Sequence, residues 1–257
     1  MGADFLTLHD LSIGYGDRTV ISGISAGLER GLLTCLIGDN GAGKSTLLRT
    51  LAAFQPPLHG SISIDGRPLA DYAPADLART VGIVLTERLD VEHLTVSELV
   101  AMGRAPYTGF WGQLSDDDLA ITADAIDSVG IAPLARRQVS TLSDGERQKA
   151  IIAKAIAQQT PVILLDEPTA FLDYGSKAAT LMLMRRLCRD EQRAVLLSTH
   201  DIELALQTAD RLWLVTADGS FCCGTPRQLA DDGHLKRFIE RDSTIHFDPD
   251  TLTVRIA

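Results

Sequence analysis

The sequence predicts an α/β fold: a parallel sheet covered by helices, antiparallel strands toward the N-terminus, and a helical subdomain inserted in the middle. Three observations predict it. Residues 161 to 216 alternate strand, helix, strand, helix, strand, the order that builds parallel sheets. Residues 5 to 36 hold short strand-like runs broken by turns such as Gly14-Tyr15-Gly16-Asp17 and Glu29-Arg30-Gly31. Between them, from about Leu89 to Gln159, the apolar spacing is helical.

The first chemically informative element lies in the N-terminal part. Leu32 to Ile37 is an apolar strand-like run, and Ser45 to Ala53 is a helical one. Gly38-Asp39-Asn40-Gly41-Ala42-Gly43-Lys44-Ser45-Thr46 joins them and meets every fixed position of the phosphate-binding loop pattern. Gly38, Gly41 and Gly43 let successive amides converge on a phosphate, Lys44 adds charge, and the helix N-terminus favours anions. Ser45 is placed to offer its hydroxyl to Mg2+. The core is therefore expected to be that of a P-loop NTPase.

In the helical segment, Ser115 caps a helix with Asp116, Asp117 and Asp118 in its first turn. Leu119, Thr122, Ile126 and Val129 are expected on one face, and Gly130 ends it. Leu142-Ser143-Asp144-Gly145-Glu146-Arg147-Gln148 then opens a second helix, through Gln158, with Ser143 as N-cap. Pro161 to Pro168 is a buried-strand run ending in Asp166 and Glu167. Adjacent residues of a strand face opposite ways, so the two acids can act on one ligand only if the strand ends between them, as Pro168 suggests. Asp166 then suits Mg2+, and Glu167 suits a proton acceptor for the water that attacks the γ-phosphate.

With Ser143 lying 99 positions after Lys44 and the Asp166-Glu167 pair soon after, the chain resembles the ATP-binding-cassette (ABC) family of ATPases over nearly its whole length. The resemblance implies ATP and Mg2+ as ligands and extends to further positions. Tyr15 matches the aromatic that stacks on adenine, Asp173 in Phe171-Leu172-Asp173 the loop linking two active sites, and His200 in Ser198-Thr199-His200-Asp201 the switch histidine at the γ-phosphate. It implies a RecA-like nucleotide-binding core with its β subdomain (1–88 and 160–257) and a helical subdomain carrying the signature (89–159), within one ABC ATPase domain. It also implies a head-to-tail dimer of the chain, in which Ser143 and Gly145 complete the partner's site. Lys44, Glu167 and His200 are then the catalytic set.

Two positions depart from the family pattern. Glu87 stands where Gln is usual; it can still offer oxygen to Mg2+ but adds negative charge. Asp144 stands where Gly is usual and is strained if that position needs a positive φ.

Composition sets the surroundings. With 45% hydrophobic and 23% charged residues the chain reads as a globular protein, and its apolar runs are far below the roughly 20 residues a bilayer span needs. Asp4 and the absence of early Lys or Arg do not suggest a signal peptide. A net charge of −10 argues against nucleic acid as a partner. Cys35, Cys188, Cys222 and Cys223 lack metal-ligand spacing and read as reduced thiols, with a vicinal redox pair at Cys222-Cys223 the lesser reading.

An ATPase of this family without membrane spans needs separate integral membrane permease subunits to move a substrate. Leu94 to Tyr107, with Gly103-Arg104-Ala105-Pro106, is similar to the corresponding stretch of importer ATPases for ferric siderophores, haem and cobalamin, with Tyr107 in place of a His. The resemblance implies a peripheral subunit on the cytoplasmic face of the membrane, working with the permease and a substrate-binding protein. The alternatives are an ABC ATPase for another substrate and a soluble ABC-type ATPase of iron–sulfur assembly. A P-loop kinase leaves the 142–148 signature and His200 without purpose, and 99 residues cannot hold the long coiled coil of repair members. The tail, Thr244 to Ile256, is expected to form two short strands around Asp248-Pro249-Asp250.

Overall fold

A computed structural model of the chain describes residues 4–85, 93–109, 111–241 and 244–256. In chain order, β1 (Asp4–Tyr15) and β2 (Arg18–Glu29) form a hairpin, followed by β3 (Leu33–Gly38), α1 (Lys44–Leu51), β4 (His59–Ile64) and β5 (Arg67–Pro68). Next come α2 (Pro74–Thr80), β6 (Val81–Val84), α3 (Val96–Ala101), a 3-10 turn Met102–Tyr107, α4 (Asp116–Ser128) and α5 (Asp144–Ala157). β7 (Val162–Leu165), α6 (Tyr174–Glu191), β8 (Ala194–Ser198), α7 (Ile202–Thr208), β9 (Arg211–Val215) and β10 (Phe221–Gly224) follow. The chain closes with α8 (Pro226–Asp231), α9 (His234–Ile239), β11 (Ile245–Asp248) and β12 (Thr253–Ile256). By its contacts it divides into two compact units, residues 1–71 with 184–257, and residues 72–183.

In the first unit, β3 pairs in parallel with β8 on one side and β9 on the other, and β10 adds antiparallel to β9. Every residue of β3 and of β8 is buried, which is why both read as unbroken apolar runs rather than alternating ones. A separate antiparallel sheet runs β2-β1-β4-β5. Here the structure corrects the sequence reading: instead of several short strands, residues 4–29 form two strands of 12 residues. The turn-like residues inside them are absorbed as register shifts, with Asp10 at φ 45° and Gly23 at φ 68°. The tail forms the expected hairpin, β11 with β12. Cys35 and Cys188 are buried and the four cysteines are free; burial pushes the Cys188 thiol up to about 12, and Cys222 and Cys223 sit side by side on β10.

In the second unit, β6 and β7 pair in parallel, and α3, α4 and α5 pack on one another. α4 begins where expected, on a reciprocal capping box between Ser115 and Asp118, and Gly130 at φ 73° follows its end. Its buried face differs: Asp118, Thr122, Ala125 and Ile126 point inward, while Leu119 is 53% exposed. The inward row is i, i+4, i+7, i+8, and it begins on an acid because that acid is neutralised inside the unit.

Candidate nucleotide site

The phosphate loop is built by the strand that feeds it. β3 ends on buried Gly38, and α1 starts at Lys44 from Gly43, whose φ of 99° and ψ of 13° belong to the left-handed region. A Cβ at Gly43 would lie 2.5 Å from Val20 Cγ1, so both conformation and space demand glycine. Lys44 is 5% exposed, and its ammonium donates to the carbonyls of Gly38 at 2.8 Å and Asp39 at 2.9 Å. The loop thus curls around its own lysine, with Asn40, Gly41 and Ser45 exposed on its outside. Thr46 is buried, and its hydroxyl lies 3.2 Å from the hydroxyl of Tyr15, whose ring is 56% exposed at the end of β1.

The same unit positions His200. β8 lies beside β3 with Ser198 opposite Leu36, and the amide of Thr199 donates to the Leu36 carbonyl at 3.1 Å. His200 follows one residue later and is exposed. Asp201 then caps α7, accepting from the Leu204 amide at 3.3 Å. Two neighbouring parallel strands therefore release the phosphate loop and the histidine loop from the same end, where ligands of open α/β sheets bind.

The second unit carries the acids and the signature. β6 and β7 run in register, Val84 opposite Leu165, and the Asp166 amide donates to the Val84 carbonyl at 2.8 Å. The strand ends at Leu165, one residue earlier than expected from Pro168. Asp166 is 3% exposed, and Glu167 takes φ 48°, a left-handed conformation that breaks the alternation of a strand between the two acids. Asp173 accepts the Ser176 amide at 2.8 Å at the start of α6, and this backbone hydrogen bond lowers its carboxyl pKa. Glu87 lies outside the described residues.

Ser143 is the N-cap of α5 as expected. Its hydroxyl accepts from the Glu146 amide, while the Glu146 carboxylate accepts from the Ser143 amide at 2.8 Å, which lowers the Glu146 pKa. Asp144 sits in the first helical turn, outside the positive-φ residues, with its carboxylate 3.4 Å from Arg147, so replacing Gly there brings no backbone strain. Gly145 packs close to the next loop: a Cβ on it would stand 3.3 Å from the Phe171 carbonyl.

Arg104 carries a role the sequence reading left unassigned. It is 5% exposed, its Nε donates to Asp118 Oδ1 at 2.8 Å, its Nη1 donates to the carbonyl of Ala157 at 2.8 Å, and it lies 4.1 Å above the Tyr107 ring. Tyr107 in turn donates its hydroxyl to the carbonyl of Gln158 at 2.9 Å. The Gly-Arg-Ala-Pro-Tyr run is thus a clamp that ties the 3-10 turn to both ends of the helical pack. A buried arginine must find an acid, and Ser115-x-x-Asp118 was the available signal.

Comparison with known proteins gives the family. Residues 21–170 match the ABC transporter family. The achromobactin transport ATP-binding protein of Dickeya dadantii is 36% identical over 95% of this chain and 91% of its own length. The iron(3+)-hydroxamate import ATP-binding protein of Bacillus subtilis is 33% identical over 96% of this chain and 91% of its own. A solved transporter assigned to the metal-chelate type, in an inward-facing conformation, superposes with a TM-score of 0.81 at 24% identity, covering 99% of this chain and 97% of that one. The chain belongs to the ABC transporter family. It is an ATP-binding ATPase cassette of that family, and among the described residues no helix is long and apolar enough to cross a membrane.

Proposed function

We propose that this chain is the ATP-hydrolysing subunit of an importer for an iron complex of the siderophore type, acting through separate integral membrane permease subunits. The observation that carries the reading is the match along nearly the whole chain to two ATP-binding proteins named for siderophore transport. Two copies work head to tail, and the pair is peripheral, on the cytoplasmic face beneath the permease, with a substrate-binding protein delivering cargo.

The residues take the following roles. The amides from Gly38 to Thr46 cradle the β- and γ-phosphates, Lys44 moves from its loop carbonyls onto them, and Tyr15 offers its exposed ring to the adenine. Ser45 and Asp166 supply a hydroxyl and a carboxylate, the hard oxygen donors that suit Mg2+, with Glu87 as a further oxygen; the ion, when bound, offsets charge on the phosphates. Glu167 takes a proton from water as the water oxygen bonds to the γ-phosphorus and the bond to the β–γ bridging oxygen breaks, releasing ADP and phosphate. His200 contacts the γ-phosphate, and Ser143 and Gly145 complete the site of the other copy, with Asp173 relaying between sites. Closure of the pair on ATP and reopening after hydrolysis drive the permease.

The test is uptake of labelled ferric siderophores, haem and cobalamin by cells lacking this chain, complemented with the native form or Glu167→Gln. Loss of ferric siderophore uptake, restored only by the native form, supports the reading. Loss of haem or cobalamin uptake alone replaces the cargo. Undiminished uptake of all three overturns it in favour of another cargo or the iron–sulfur assembly role.

A further inference from the structure

The residue after Gly38 in the phosphate loop is an acid. Asp39 places a carboxylate within the loop read as receiving a triphosphate, and a carboxylate there opposes the ligand. Its backbone carbonyl is already committed, accepting from the Lys44 ammonium at 2.9 Å. Of its two carboxylate oxygens, Oδ2 is buried and finds no hydrogen-bond partner among the described residues. The other, Oδ1, lies 2.5 Å from Nη1 of Arg241, a residue 202 positions away in sequence.

Arg241 is held in place from behind. It follows α9, its amide donates to the Ile239 carbonyl at 3.0 Å, and its guanidinium lies 4.7 Å above the ring of Phe238, which is itself buried. The adjacent Glu240 accepts from the Phe247 amide of β11 at 2.9 Å, so the turn that presents Arg241 is fastened to the C-terminal hairpin. The last segment of the chain therefore reaches the nucleotide loop through one charged contact.

We propose that Arg241 is a positioning residue for nucleotide binding: it neutralises Asp39 and holds the first turn of the phosphate loop in the shape that accepts a nucleoside triphosphate. As a contribution to folding the pair is small, because water screens an ion pair with one partner half exposed. Its value lies in the ligand's field. Removing the cation leaves an uncompensated carboxylate within the loop, a like-charge penalty toward a triphosphate that falls on binding rather than on chemistry. The inference rests on the reading that this loop binds ATP.

The experiment measures affinity for a fluorescent ATP analogue, together with KM and kcat for ATP, on folded protein verified by circular dichroism. Arg241→Ala is expected to weaken binding and raise KM by about tenfold while kcat stays within about twofold. Arg241→Lys keeps the charge and recovers most of the affinity. The deciding variant is the double change Asp39→Asn with Arg241→Ala: if charge cancellation is the role, it binds several-fold more tightly than Arg241→Ala alone. A double variant as weak as Arg241→Ala alone, or an Arg241→Ala protein of native affinity, overturns the proposal. Lys44→Ala is the separate control, since native affinity in that variant refutes the loop as the ATP site whatever Arg241 does.

Discussion

Arg104 and Asp118 form a buried ion pair, Nε to Oδ1 at 2.8 Å, in which the acid also closes the capping box at the start of α4. Both its hydrogen bond from Arg104 and those from Ser115 hold the Asp118 carboxyl down at about 2. Its folded pKa lies below the unfolded value, so the pair's stabilisation is complete above the usual carboxylate range near 4 and is lost as pH falls toward 2. Arg104→Ala and Asp118→Asn should each lower the melting temperature by several degrees at pH 7, and each should flatten the acid limb of the stability curve. Unfolding followed from pH 7 to pH 2 checks this; an unchanged acid limb in both variants removes the pair from that role.

Glu167→Gln should keep ATP affinity and gather as a closed dimer on ATP, while turnover falls by about 10² to 10⁴. Lys44→Ala should fail at the earlier step, losing nucleotide binding. Equilibrium binding beside steady-state turnover, with size-exclusion chromatography in ATP, separates the two. Undiminished turnover in Glu167→Gln takes the general base away from this residue.

A head-to-tail pair predicts complementation between two inactive proteins. In a mixture of Lys44→Ala with Ser143→Ala, a mixed dimer holds one site with both residues native and one with neither. ATPase activity should therefore appear on mixing that neither protein shows alone. Activity that stays absent at every ratio, in samples shown to form mixed dimers, places Ser143 in its own chain's site.

Gly43→Ala should cost about 1–2 kcal/mol through the left-handed backbone alone, with further loss from the overlap with Val20 Cγ1. Because the same residue starts α1, ATP affinity should fall together with stability. Denaturant unfolding and nucleotide titration on one preparation test the coupling; native stability in the alanine variant contradicts the geometry described for the loop.

The phosphate loop, the caps at Ser115 and Ser143 and the buried strands were legible because each is a local matter, encoded by neighbours in the chain. The Asp10 and Gly23 shifts were not, since a bulge and a turn share the same residue types and only pairing with a partner strand distinguishes them. Leu119 was placed inward by its apolar character, whereas the inward position went to Asp118 once Arg104 was there to meet it. The contacts of Leu36 with Thr199 and of Asp39 with Arg241 span far too much sequence for any periodicity to reveal. Glu167 was recognised by motif, but its φ of 48° was not, because no glycine or asparagine marks the position.

That φ has a price in selection. A side chain in the left-handed region costs about 1–2 kcal/mol that glycine avoids and asparagine largely avoids. Screening this protein for heat tolerance alone should therefore enrich Gly or Asn at 167, yielding sturdier molecules that have discarded the carboxylate. Any engineering of the cassette for shelf life has to select on turnover at the same time.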